Sequence, residues 1–306
     1  MTFIWQDANT WKFDPASGHK WHEGFKGKKF DSFLGESSHF TQNHVVRLIL
    51  RLYLSPVQNQ TVAYDARKRD FPIKNWGGRE WAEFKDKFWK QANKWNNKFW
   101  LIPPPNFNLK DVKNGSGKLR PNFKCALQVE LVSSVLQAHR VINVYNLDIK
   151  GVKEEYDEHP TSGTFKSNST NLDSLDVNPR NSSYEDADGE LHSVKNFYTI
   201  THEVGHAIGL PHIGVLKSLP DCKLAIKKFK AGDKNVATHL SRGANSEVCY
   251  GEHSNLGYAE NIMGLGMRFD EVNAKPWIKR AAMHTNTHKK DWSVRLAHIM
   301  PASVRG

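Results

Sequence analysis

The sequence predicts a mixed fold, α/β in class and α+β in arrangement. Three observations carry this. A run of alternating and β-branched apolar residues over 44–54 has the period of a strand, and an aromatic stripe at spacings of three and four between Trp81 and Phe99 has that of a helix. Beyond them, strand-like runs at 123–132 and 141–147 precede helical patterns at 195–209 and after Asp270.

In chain order, residues 1–40 come first. They are rich in Trp, Lys and Gly (Trp11, Trp21, Lys26, Lys28, Lys29) without a clean period, and are expected to form an irregular aromatic and basic extension of a main domain spanning 41–306. Trp5, Trp11 and Trp21 suit either buried packing or a ligand platform. The run from Val45 to Leu54 reads as a strand. In the next segment Trp81, Phe84, Phe88, Ala92, Trp95 and Phe99 form one face, with Lys85, Lys87, Lys90 and Lys94 between them, so an amphipathic helix is predicted. Pro103, Pro104 and Pro105 end that stretch, and Asn114-Gly115-Ser116-Gly117 marks a turn. Residues 161–190, dense in Ser, Asn, Asp and Thr, predict a polar loop with an edge strand near Gly163–Asn168. Its Asp173, Asp176, Asp186 and Asp188 lack the spacing of a calcium loop and are expected to be solvated. A helix over about Lys195–Gly209 and another after Asp270, with Pro276 close to its first turn, complete the plan.

Composition narrows the class of function. The chain of 306 residues is 39% hydrophobic and 25% charged, with 10 Trp, 16 Phe and 8 Tyr, which is bulk enough for a core and excludes general disorder. No apolar run approaches the ~20 residues of a membrane helix. The first residues lack a basic and an apolar signal region, so no secretory leader is expected. Net charge is +11 and the pI is near 9.4, which favours anionic surroundings. The basic residues are dispersed and no nucleic-acid-binding motif is present, so nucleic acid is not the expected partner. Three cysteines without a CxxC pair exclude a zinc ribbon and a disulfide scaffold.

The chemistry lies in Thr201-His202-Glu203-Val204-Gly205-His206-Ala207-Ile208-Gly209-Leu210-Pro211-His212. On a helix, residues four apart share a face, ~6 Å from one another. His202 and His206 can therefore reach one ion at the Zn–N distance of about 2.0–2.1 Å. Glu203, displaced by ~100°, can reach a metal-bound water without being a ligand. Gly209 can end the helix with positive φ, Pro211 prevents its resumption, and the reversed chain can return His212 to the same ion. Three neutral imidazoles leave a fourth position open, as catalytic zinc sites do. By chance, a chain of this composition would hold roughly 0.04 copies of H-E-x-x-H, and roughly 10⁻⁴ once the Gly and third His are required. His239, His253, His284 and His288 are expected to be exposed, and the His19 and His22 pair to be incidental.

The run from His202 to His212 resembles the metzincin zinc-peptidase signature H-E-x-x-H-x-x-G-x-x-H. Glu260-Asn261-Ile262-Met263-Gly264, about fifty residues on, is similar to the Met-turn of that clan, in which a Met lies beneath the zinc ligands. The resemblance covers about 41–290 in outline and implies a mixed twisted sheet, an active-site helix, a Met-turn at Met263 and a C-terminal helix. Leu265 stands where some metzincins carry a zinc-proximal Tyr, so that role is not carried over. Met267 is a competing candidate, and the Lys-rich interval implies an inserted loop at about 213–258.

The expected activity is that of a zinc metalloendopeptidase. One zinc ion on His202, His206 and His212 would acidify its water toward a pKa of ~7, and Glu203 would take the proton and return it to the leaving amine. The substrate would be a protein or peptide lying along an edge strand, with 163–168 as the candidate. Alternatives are a cell-wall peptide cross-link hydrolase, which the positive charge suits, and a non-catalytic basic binding module that keeps zinc for stability. A monomer is expected, with a cognate inhibitor or immunity protein as a further partner. A protease without a leader implies an exported effector or toxin, with a cytoplasmic peptidase as the alternative. In an oxidising compartment Cys222 and Cys249 would close a loop of about 27 residues, worth roughly 3 kcal/mol. Cys125 reads as a buried thiol.

Overall fold

The computed structural model describes residues 20–36, 44–64, 70–105, 113–114, 117–118, 122–148, 167–185, 191–213, 261–264 and 266–297. In chain order its elements are β1 (Lys20–Phe25), β2 (Asp31–Glu36), β3 (His44–Pro56), β4 (Val62–Tyr64), β5 (Asp70–Pro72), α1 (Gly78–Ala92), β6 (Phe99–Ile102), β7 (Lys113–Asn114) and β8 (Gly117–Lys118). There follow β9 (Phe123–Leu131), β10 (Arg140–Tyr145), β11 (Asn171–Asp173), β12 (Arg180–Glu185), β13 (Leu191–Phe197), α2 (Thr199–Ala207), α3 (Lys275–Thr285) and β14 (Ser293–Leu296). Among the described residues, few helices and a mixed sheet are consistent with the α+β class. No described helix is long and apolar enough to cross a membrane.

The described residues fall into two compact units. The first draws on Met1–Tyr53, Asn93–Arg140 and Phe269–Gly306, the second on Leu54–Ala92 and Val141–Arg268.

In the first unit the strands run in the order β1-β2-β3-β9-β6-β14. All neighbours are antiparallel except β3 and β9, which are parallel in the register Leu48 to Leu127 and Leu50 to Val129. A strand inside such a sheet is covered on both faces, which explains why Val45 and Ile49 are as buried as Val46, Leu48 and Leu50. Phe123, Cys125, Leu127 and Val129 alternate inward along β9, and Cys125 is a buried free thiol. Trp95, Phe99 and Trp277 pack together, and the Trp277 indole N–H is satisfied by the Ala126 carbonyl at 2.9 Å. Pro276 stands in the first turn of α3, where its missing N–H costs nothing.

Two expectations are corrected in this unit. Residues 20–36, placed in the irregular extension, are an antiparallel hairpin whose second strand pairs with β3. The helix expected to reach Phe99 stops at Ala92. A 3-10 turn follows at Asn93–Trp95, Asn97 takes the left-handed conformation at φ 57°, and Phe99 opens β6. Asn tolerates that conformation, and the four bulky residues Phe99–Ile102 then bury every side chain as a strand.

The second unit holds α1, the hairpins β4–β5 and β12–β13, the parallel pair β10–β11, and α2. The aromatic face of α1 is real over Trp81, Phe84 and Phe88, and Trp76 joins it edge-on to Trp81 and Phe84. Residues 161–190 are not merely a loop, since β11 and β12 lie there. Asp173 and Asp176 are fully buried rather than solvated. Arg180 donates to both, at 2.6 Å to Asp176 and 3.3 Å to Asp173. Of the expected edge strand at 163–168, only 167 and 168 are described, and Asn168 makes an isolated bridge with Asn171. Residues 1–19 and the interval 214–260, with Cys222, Cys249, His239, His253 and most of the expected insertion, lie outside the described residues, as do Asp186, Asp188 and Leu265.

Candidate metal centre

The motif helix is shorter than expected, because residues 195–197 complete β13 and Asn196 turns the chain at φ 60°. Almost every side of α2 is buried, which makes it a core helix rather than a surface one. One side-chain bond seats it on α1, the Thr201 hydroxyl donating to the Gln91 carbonyl at 3.0 Å, and the Gln91 amide in turn donates to the Val177 carbonyl at 2.6 Å. At its start the Tyr198 N–H donates to the Met267 sulfur at 3.3 Å.

The end of α2 places the third histidine. Gly209 has φ 94°, its N–H donates to the His206 carbonyl, and the Leu210 N–H reaches back to the Gly205 carbonyl at 2.9 Å. That pair of bonds is a Schellman motif with glycine in the left-handed position. The chain reverses there and His212 comes back to the face that carries His202 and His206.

The three Nε2 atoms form a nearly equilateral triangle with sides of 3.0, 3.1 and 3.2 Å. Their other ring nitrogens explain the convergence. His202 Nδ1 lies 2.7 Å from the Ile262 carbonyl and His206 Nδ1 lies 2.9 Å from the Leu210 carbonyl. A carbonyl can only accept, so each Nδ1 carries the proton and each neutral ring turns a bare Nε2 lone pair inward. Burial holds His202 well below the usual imidazole range, reinforced by His206 and His212. Burial and His206 push His212 down to about 3. Three converging lone pairs repel one another unless a cation sits among them. A tetrahedral ion bound at about 2.0–2.1 Å needs its nitrogens about 3.3 Å apart, so the triangle fits one within a few tenths of an ångström. His202, His206 and His212 can thus hold a metal ion.

Glu203 is half-buried, with its Oε2 shielded from solvent. Met263 is fully buried in a turn at Asn261–Gly264. The Gly264 N–H donates to the Asn261 carbonyl at 2.8 Å, and the Met263 N–H to the Asn261 side-chain oxygen at 2.8 Å. The Ile213 N–H donates to the Met263 carbonyl at 3.0 Å. The turn therefore touches both ends of the ligand run, holding His202 through Ile262 and the residue after His212 through Met263. Met267, the competitor, is occupied with Tyr198 instead.

Ile262, Asn261 and Leu210 support the ligands, a role that the sequence reading did not give them. The Ile262 and Leu210 contributions are backbone carbonyls, which no residue type encodes. Asn261 had a signal, as an Asn two residues before a buried N–H can bond it in an Asx-type turn. The remaining described histidines lie elsewhere. His288 is exposed, as expected, but His284 is mostly buried, bonded to Ser32 at 3.2 Å and set edge-on to Phe25.

Compared with models of known protein families, with curated proteins and with solved structures, the chain matches none of them.

Proposed function

We propose that the chain is a zinc-dependent endopeptidase of metzincin type, cleaving peptide bonds in protein substrates. The observation that carries this reading is the triangle of Nε2 atoms, two of them aimed by Nδ1–H bonds to backbone carbonyls. His202, His206 and His212 would hold the zinc. When bound, the ion supplies Lewis acidity, toward both a water and the scissile carbonyl. Only imidazoles make up the donor set, which keeps the site's charge positive and that acidity high.

Glu203 follows His202 on α2 and so faces about 100° away from it. A carboxylate there, with one oxygen shielded from bulk water, serves as the general base that takes a proton from the attacking water and returns it to the leaving amine. The turn at Met263 acts as a floor that fixes ring orientation rather than as a reactant. The candidate edge for an extended substrate is 163–168, and the β12–β13 hairpin, which leads directly into α2, is a second.

The test pairs metal content with proteolysis of denatured casein by wild type, His212→Ala and Glu203→Gln. The expectation is one zinc per chain and casein cleavage in wild type, weakened zinc binding in His212→Ala, and retained zinc with a loss of several orders of magnitude in kcat in Glu203→Gln. Stoichiometric zinc of unchanged affinity in His212→Ala, or comparable cleavage by Glu203→Gln, overturns the reading.

A further inference from the structure

The first unit ends in a surface that the proposed peptidase site does not use. Between β9 and β10, Val135–Gln137 form a single 3-10 turn whose tip is apolar: Leu136 is 96% exposed and Val135 53%. The turn is well braced. The Leu136 N–H donates to the Ser134 hydroxyl, the Gln137 N–H to the Ser134 carbonyl, and the Arg51 guanidinium to the Gln137 carbonyl at 2.8 Å. A leucine exposed singly is ordinary; this one matters because it shares a brace with a cluster of lysines.

The same brace holds a second loop. Arg51 pairs with the buried Asp31 at 2.7 Å, and Asp31 accepts the Gly27 N–H at 3.0 Å. Gly27 belongs to the β1–β2 connection, Lys26-Gly27-Lys28-Lys29-Phe30, whose three lysines are all exposed and which contains no acidic residue. Arg280 bonds the Phe30 carbonyl from the other side at 3.2 Å. The strand register agrees, since Asp31 opens β2 opposite Ile49, and β3 pairs through Leu52 with Leu131 just before the apolar turn. One end of the sheet therefore presents three lysines and a Val-Leu tip, both tied to the Asp31–Arg51 pair.

We propose that this end of the first unit docks on an anionic membrane surface, with Leu136 and Val135 entering the headgroup boundary and Lys26, Lys28 and Lys29 lying over acidic lipid heads. The chemistry favours a bilayer over a protein. Lysine is depleted from protein interfaces, whereas a lysine cluster beside one or two large apolar side chains is how peripheral proteins hold a charged bilayer. The net charge of +11 acts in the same direction. The inference stands independently of the zinc reading.

The experiment is co-sedimentation of the full chain with vesicles of phosphatidylcholine alone and of phosphatidylcholine with about 30% phosphatidylserine, at about 0.1 M salt. Wild type is expected to bind the acidic vesicles at least about tenfold more tightly than the neutral ones. Leu136→Ser should weaken that binding about tenfold, and Lys28→Gln with Lys29→Gln about 25-fold. These side chains are exposed, so thermal unfolding like that of wild type shows that the variants remain folded. Absence of binding, equal binding to both vesicles, or binding by both variants like that of wild type overturns the proposal.

Discussion

The Nδ1–H of His202 donates to the carbonyl oxygen of Ile262 at 2.7 Å, across 60 residues of sequence. That bond decides which nitrogen of His202 keeps its proton and so which one faces His206 and His212. The carbonyl is aimed in turn by Asn261, which accepts the Met263 N–H at 2.8 Å and is itself fully buried. The orientation of a metal ligand thus depends on a side chain that never approaches the metal.

Asn261→Ala removes the acceptor for a buried N–H and frees the turn. Leaving that donor unsatisfied costs about 1–3 kcal/mol. Zinc affinity should fall about 10- to 100-fold, the usual effect of removing an outer support of a histidine ligand. Competition titration against a chromophoric chelator measures the affinity, and denaturant unfolding measures the stability. Unchanged affinity in a folded Asn261→Ala protein would show that the turn does not orient His202.

The reversal at Gly209 gives a prediction of rank rather than of size alone. Gly209 is exposed and its backbone stands at φ 94°, so the conformational cost of that φ is what ranks substitutions there. Asn visits this region readily, while Ala costs about 1–2 kcal/mol there and Val more. Stability and zinc affinity should both follow the order Gly, Asn, Ala, Val, with His212 displaced as the turn reopens. If Gly209→Ala binds zinc like wild type, the return of His212 does not depend on the left-handed turn.

The local parts of this design were legible in the sequence. His202, His206 and Gly209 are read from helical period and conformational preference alone, and β3 and β9 from their apolar pattern. What was not legible depends on long-range pairing. The stripe of α1 continues in register through Trp95 and Phe99, and nothing in a three-and-four spacing reveals that Asn97 has turned the chain between them. β11 and β12 are mostly Asn, Asp, Ser and Arg, which read as loop until Arg180 is seen bonded to both buried Asp173 and Asp176. The supports of His202 and His206 are backbone carbonyls, which leave no trace in residue identity.

The last prediction concerns two buried groups whose titrations act on stability in opposite directions. Burial and the neighbouring Asp176 carboxylate push Asp173 up to about 7, although Arg180 opposes them. A carboxyl raised in the fold is protonated there when the unfolded chain has already released its proton. Its contribution therefore falls as pH rises from about 4, and levels above about 7. For His284, burial and then Arg280 push the imidazole down to about 4. The unfolded chain binds that proton from about pH 6.5 downward while the fold resists it, so this contribution falls as pH drops from about 6.5 to about 4. Asp173→Asn should thus gain stability relative to wild type between pH 4 and 8, by at most about 4 kcal/mol. His284→Asn, by contrast, should gain relative to wild type as pH is lowered from 7 to 4, by at most about 3 kcal/mol. Denaturant unfolding of the chelator-treated protein at pH 4, 5.5, 7 and 8 reads both differences, with the zinc ligands unchanged in all three proteins. Parallel pH profiles for wild type and Asp173→Asn would mean that Asp173 is ionised in the fold and that Arg180 outweighs both its burial and Asp176.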